Sequence, residues 1–307
     1  MNTLKILTLD GGGSKGIYTL GVLQEMQAKL GAPLVEFFDC FYGTSTGATI
    51  AAMLVLGRDI SEIKDLYLHR VPHVMKKKTP ELRTAELKIM LNREFGNTKF
   101  EDCQKYLGVI TSLINERKPK IFRPYVNGSL NSEPSLFSGY GFTIAEALLS
   151  SCAAVPYFEQ VKMKSSDGAR ELFLIDGGFL ANNPTACSME DAKRVFNREE
   201  EDLFVVNVGA GTFPRDLKAK HVLSVVNRSL LSWYVIDYVG LGLRKFFGKP
   251  ERLIASDRVL RVNEEFTQES LKTNFLEDDV QKLEMLYNRG RSSFSLFEEE
   301  FDSRRYC

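Results

Sequence analysis

Two glycine turns, DGGGSKG at 10–16 and GTSTG at 43–47, each stand between a short apolar run and a helical pattern. A strand that leaves through glycine into a helix, twice in succession, confines the chain to a largely parallel sheet with helices on both faces. Parallel neighbours need a crossover connection, and a helix is its usual form. Leu4–Leu9 reads as the first strand, with Asp10–Gly13 turning out of it. Ile17–Leu30 reads as a helix, closed by Gly31 and followed by Pro33. Phe37–Tyr42 reads as a second strand, and Thr46–Leu56 as a small-residue helix stopped by Gly57. The fold class expected is α/β, three layers with a mostly parallel central sheet.

Residues 60–118 carry a mostly helical, charged and amphipathic pattern. KPKIFRPY (118–125) reads as a strand and residues 127–141 as a loop. TIAEALLSSCAAVPYF (143–158) begins as a helix and stops before Pro156. EQVKMK and RELFLID flank SSDGA, which predicts a hairpin turning near Asp167–Gly168. LFVVNVGAG (203–211) is a continuous apolar run, as in a buried parallel strand. Residues 219–247 and 277–301 read as helical. Neither an internal repeat nor a low-complexity linker divides the chain, so one domain over 1–307 is expected, with the motifs in a core of about 4–212 and a helical C-terminal part over 213–307.

Forty basic and forty acidic residues cancel over the 307, so no overall field draws the protein to nucleic acid. The densest basic run, Lys76–Lys78, reads as a solvated face. Five scattered cysteines, an odd number without a C-x-x-C pair, point to reduced thiols and a cytosolic home rather than a disulfide framework. The N-terminal apolar run is too short for a signal peptide, and no apolar run reaches the eighteen residues of a bilayer span. Residues 221–248 hold the only tryptophan and end in basic residues. They suit an interfacial helix or a packed core helix, and the core reading is favoured.

The chemistry lies in the turns. Gly11, Gly13 and Gly16 satisfy G-x-G-x-x-G, which cradles a dinucleotide pyrophosphate; the same amides suit the oxyanion of an acyl-transfer intermediate. Gly43-Thr44-Ser45-Thr46-Gly47 matches G-x-S-x-G, a nucleophile elbow. Its serine sits on a sharp strand-to-helix turn, and the flanking glycines let strand and helix approach. An ordinary Ser/Thr helix cap is the bland alternative. A serine hydroxyl needs a base. His69 and His73 have zinc-like spacing, but Pro72 interrupts any helix between them and a solvated pair is expected. His221 permits a Ser45–Asp176–His221 triad, although its surroundings read as the start of an amphipathic helix. A buried carboxylate is the other option, and FLIDGGFLANNP (173–184) supplies Asp176 at the end of an apolar strand, followed by Gly177 and Gly178.

Taken in order, DGGGSKG, GTSTG and DGG at 176–178 resemble the patatin-like phospholipases, as do SSCAAVPYF (150–158), IDGGFLANNP (175–184) and VVNVGAGT (205–212). The resemblance covers about the first two thirds of the chain. It implies a Ser–Asp dyad with Ser45 as nucleophile and Asp176 as base, Gly11, Gly12 and Gly13 as oxyanion donors, and Gly16, Gly43, Gly47, Gly177 and Gly178 as supporting residues. Lys15 stands where the family has Arg or Lys. A dinucleotide fold needs an acid at the end of the second strand, but Asp39 opens that stretch and Ser45 ends it. The first turn is therefore assigned to an oxyanion and nicotinamide binding ranks last.

From the resemblance follow membrane glycerophospholipids as substrates, with peripheral contact with the inner membrane from the cytoplasm; the sequence holds no metal-ligand cluster, so no metal and no calcium dependence are expected. Some bacterial members are CBASS-type effectors of antiviral defence, switched on by a cyclic nucleotide. A cyclic nucleotide activator and a homo-oligomeric active form are expectations on that ground. The alternatives are an α/β-hydrolase esterase using His221 and a non-catalytic lipid-binding protein.

Overall fold

Apolar, β-branched runs pair edge to edge at the centre of the molecule, and helices cover both faces. The computed structural model describes residues 3–124, 141–166, 168–213 and 257–304. The first strand, β1 (Leu4–Leu9), lies between β2 (Cys40–Thr44) and β7 (Leu203–Val208) and is parallel to both. Beyond β7 lies β8 (Val259–Val262), again parallel, and beyond β2 lies β3 (Tyr106–Leu113). The far side turns antiparallel, with β6 (Glu171–Asp176) on β3, β5 (Val161–Lys164) on β6, and β4 (Lys118–Phe122) paired to β3. The order is β5-β6-β3-β2-β1-β7-β8, with β4 off this line. Every residue of β2, β3 and β7 is buried, which explains their unbroken apolar character.

Helices α1 (Gly16–Leu30) and α3 (Thr46–Val55) follow the two glycine turns as expected. The stretch at Phe37–Tyr42 differs. Pro33 starts a single helical turn, α2 (Leu34–Phe37), and the strand begins only at Cys40. The region 60–118 is helical in α4 (Ile60–His69), α5 (Val71–Met75) and α6 (Pro80–Phe95), but Tyr106–Leu113 is the central strand β3. Its apolar run is short, and periodicity alone does not distinguish such a run from a buried helical segment. Helix α7 (Ile144–Ser151) opens on a capping box: Glu146 N donates to Thr143 Oγ1 at 3.2 Å, and Thr143 N donates to the Glu146 carboxylate at 2.8 Å. It ends at Ser151, before Pro156 as expected. The β5–β6 hairpin stands where its turn signal placed it, with Ser165 N donating to Arg170 O at 2.8 Å.

A one-turn helix α8 (Gly178–Ala181) and α9 (Thr185–Phe196) follow β6. Met189, Ala192 and Val195 of α9 form a smaller core against β1, β2 and β7, while α1, α3, α4, α6 and α7 build the larger core. The C-terminal part is not purely helical. It contributes β8 to the sheet, then α10 (Val280–Phe294) and α11 (Glu298–Arg304). Helix α10 crosses α1 at two glycines: a Cβ on Gly21 would lie 2.1 Å from the Tyr287 carbonyl oxygen, and one on Gly290 2.1 Å from that of Tyr18. Residues 127–140, 219–247 and His221, with their expected loop, helices and interfacial segment, lie outside the described residues. No helix among the described residues is long and apolar enough to cross a membrane.

Candidate active site

Ser45 stands between β2 and α3 with φ 54° and ψ −121°. A non-glycine residue held there carries on the order of 1–3 kcal/mol of strain, which only a firmly packed surround sustains. The surround is tight. A Cβ at Gly43 would lie 2.3 Å from the Ala48 nitrogen, and one at Gly47 2.3 Å from the Leu9 carbonyl oxygen. Only glycine lets β1, β2 and α3 come this close, and the result is a nucleophile elbow. The Ser45 amide donates to Ser151 Oγ at 2.8 Å, and the Ser151 hydroxyl donates to the Ile110 carbonyl at 2.5 Å.

Asp176 ends β6, and the sheet brings it to the elbow. Val109 and Ile110 of β3 pair with both β2 and β4, while Thr111–Leu113 pair with both β6 and β4. A strand has two edges, so β4 fills one and β2 and β6 share the other. On that shared edge Thr44 faces Ile110 and Asp176 faces Thr111. The two strands run toward each other and their C-terminal ends meet.

The Asp176 carboxyl is buried. Its Oδ1 accepts the Gly178 amide at 2.6 Å, while Oδ2 has no hydrogen-bond partner among the described residues. Burial pushes the group up to about 6; the neighbouring Ser45 hydroxyl and the Gly178 amide pull it down. The hydroxyl is thus near enough to favour the ionised carboxylate without closing an ordinary hydrogen bond to it. Such contacts are commonly long in empty sites and tighten around substrate. Cys152 sits beside both. Burial pushes its thiol up to about 12, so it is a neutral wall rather than a competing nucleophile.

The first glycine turn lies across from the serine. The Gly11 amide donates to the Asn182 carbonyl at 3.0 Å and is committed there, whereas the Gly12 and Gly13 amides have no partner among the described residues. Gly13 adopts φ 59° and borders the same cleft as Ser45. Gly16 lies against Thr46, and Gly177 against the Ile110 carbonyl. The cleft holds about 440 Å³ of space, part of it open to solvent, and its walls are chiefly apolar: Tyr67, Val71, Val74, Met75, Leu87, Met90, Phe158 and Phe275. The cleft is thus an apolar space that opens beside the Ser45 side chain and the Gly13 backbone.

The histidines take no part in this arrangement among the described residues. His69 and His73 are exposed, and His73 Nε2 lies 3.5 Å from Glu86. Asp39 is stapled to β1 through the Lys5 amide at 2.9 Å, at the end of the sheet away from the glycine turns. Sequence reasoning passed over Ser151, Asn182, Asn207, Arg261 and Phe275, which hold these loops. Ser151 and Asn182 lie inside stretches that carried the resemblance; Arg261 has no local signal at all.

A family model described as patatin-like phospholipase matches residues 7–186. The cUMP-AMP-activated phospholipase of Escherichia coli is 34% identical over 299 residues, covering 97% of this chain and 93% of that protein. The cGAMP-activated phospholipase of Escherichia coli strain TW11681 is 22% identical over 229 residues, covering 67% of this chain and 62% of that protein. Among solved structures, VipD from Legionella pneumophila superposes with a TM-score of 0.54 at 16% identity, over 97% of this chain and 67% of that one, a likeness of fold. Motif order, elbow geometry and a family match over more than half of its length agree: the chain belongs to the patatin-like phospholipase family.

Proposed function

We propose that this protein is a serine acyl hydrolase that cleaves the ester bonds of membrane glycerophospholipids through a Ser45–Asp176 dyad. The observation that carries this reading is the buried Asp176 Oδ2, without a hydrogen-bond partner among the described residues, beside a serine on a strained elbow. Asp176 takes the proton as Ser45 Oγ attacks the ester carbonyl. The amides of Gly12 and Gly13 receive the oxyanion, each such donor being worth about 3–4 kcal/mol. The alcohol leaves with the proton, and the acyl group stays on Ser45. Asp176 then deprotonates a water that attacks the acyl-enzyme, and as the ester bond breaks it returns that proton to Ser45 Oγ, releasing the fatty acid and restoring both residues. The apolar cleft accommodates the acyl chain.

The 34% identical relative supports a second element of the reading, that a cyclic nucleotide activates the enzyme; a change of assembly state and a part in antiviral defence are the extension of that element. Peripheral membrane contact is supported on α6, whose outer face exposes Leu82 (53%) and Ile89 (62%). Lys76, Lys78, Lys88 and Arg93 are exposed around them, a combination suited to an anionic lipid surface. The four described cysteines are all free, in keeping with work at the cytoplasmic face.

The test is release of fatty acid from phosphatidylglycerol–phosphatidylethanolamine vesicles, with and without cUMP-AMP, by the protein and by Ser45→Ala. Release that rises with the nucleotide and vanishes in Ser45→Ala is expected. Release unchanged in Ser45→Ala refutes the dyad. Release that is constant across a panel of cyclic di- and trinucleotides refutes the activation.

A further inference from the structure

We propose that Arg261 is a positioning residue for ester hydrolysis: from β8, outside the stretch matched by the family model, it fixes Asp10 and with it the glycine loop that receives the oxyanion. The inference rests on the Ser45–Asp176 reading above.

Asp10 immediately precedes the loop and is buried. Its Oδ2 accepts Arg261 Nη2 at 2.9 Å, and its Oδ1 accepts Asn207 Nδ2 at 2.9 Å. The second guanidinium nitrogen donates to Asn207 Oδ1, which also accepts Asn183 Nδ2 at 3.0 Å. One planar fork thus locks two acceptors at fixed separation, a task that suits arginine and not lysine. The loop itself is gripped at three points. Asp10 is held by Arg261, Gly11 exchanges bonds with Asn182, and the Ser14 amide donates to the Phe275 carbonyl at 3.2 Å. Two of the three grips come from the C-terminal part of the chain. Between them the Gly12 and Gly13 amides have no partner among the described residues, so their aim depends on the grips.

Removing the guanidinium leaves a buried carboxylate without its cation at the hinge of the loop. Asp10 must then shift to regain a partner, and that shift turns the peptide planes that follow it. An error of about 1 Å in a catalytic group costs about a hundredfold. The defect falls on the transition state and not on binding of the acyl chain, which the apolar cleft performs.

The experiment compares wild type, Arg261→Gln, Arg261→Lys, Asp10→Asn and the Arg261→Gln/Asp10→Asn pair on a 4-nitrophenyl ester, with cUMP-AMP present throughout. The readout is kcat per active site, sites being counted by exhaustive fluorophosphonate labelling, together with KM and Tm. For Arg261→Gln, kcat per site should fall roughly ten- to a hundredfold with KM within about twofold. Arg261→Lys should lie between that variant and wild type, and the pair should be no worse than Arg261→Gln within about twofold. A lower Tm with kcat per site within about twofold of wild type would show a merely structural residue and overturn the proposal. If Arg261→Gln does not fold, Arg261→Lys decides by the same criterion. Ser45→Ala is run alongside. If it still turns over, the underlying reading fails; if it is dead while Arg261→Gln matches wild type, only the present inference fails.

Discussion

The backbone amide of Ser45 donates to the hydroxyl of Ser151, 2.8 Å away, and that hydroxyl donates in turn to the carbonyl of Ile110. The carbonyl of Ser151 accepts the amide of Gly177, and that of Ala153 accepts the amide of Asp176. One short segment at the end of α7 therefore ties both proposed catalytic residues to β3. Ser151→Ala leaves the buried Ser45 amide and Ile110 carbonyl short of partners. It should cost about 1–3 kcal/mol in stability and lower kcat more than KM. Denaturant unfolding and steady-state kinetics on the same preparation check this.

The Asp176 carboxyl titrates at about 6 because burial outweighs the Ser45 and Gly178 contacts. As the proposed base it works only when ionised. Hydrolysis should therefore fall as pH drops through about 6, tenfold for each further unit on the acid limb. A profile of kcat/KM on a non-ionising ester reads this limb. An acid limb near the ordinary carboxylate value of 3.8 would contradict a buried base.

The same shift has a consequence for stability. The folded pKa of Asp176 lies above its unfolded value, so this group's contribution is full below about 3.8 and is lost as pH rises through about 6. Above that range an ionised carboxylate is being kept out of water. Asp176→Asn should abolish turnover yet raise stability at pH 8 by on the order of 1–3 kcal/mol. At pH 4 it should bring no gain. Thermal unfolding at the two pH values measures the difference.

The elbow glycines leave no room for a methyl group. Gly43→Ala and Gly47→Ala each drive a Cβ to 2.3 Å from backbone atoms that are themselves fixed in β1 and α3. Both should fail to fold or lose more than about 3 kcal/mol, well beyond a surface substitution. Circular dichroism and soluble yield, with Gly31→Ala as a control in open space at its helix end, separate local crowding from the general strain of a left-handed glycine.

Met90 and Leu87 reach the apolar cleft, the proposed acyl site, from α6. Met90→Trp shortens the space available to the hydrocarbon. The ratio of kcat/KM for long over short acyl esters should drop by about tenfold or more, with short esters little affected.

Much of the site was legible because steric necessity is written locally. Gly43, Gly47 and the strand–turn–helix pattern around them admit few conformations, and Asp176 with its two glycines ends an unmistakable strand. The meeting of Ser45 and Asp176 was not legible in the same sense. It follows from β2 and β6 sharing one edge of β3, and β3 itself reads as part of a helical region because a short apolar run has no period of its own. Gly11 looked equivalent to Gly12 and Gly13 until Asn182 claimed its amide. Arg261 was invisible because its partners, Asp10 and Asn207, are distant in sequence and the pattern around it is that of any short strand.

The most direct test of the dyad is labelling with a long-chain fluorophosphonate, followed by peptide mapping, on wild type and Asp176→Asn. A single adduct on Ser45, formed at least about a hundredfold more slowly in Asp176→Asn, is the predicted result. An adduct on another residue, or labelling of Ser45 at an undiminished rate without the Asp176 carboxylate, would contradict it.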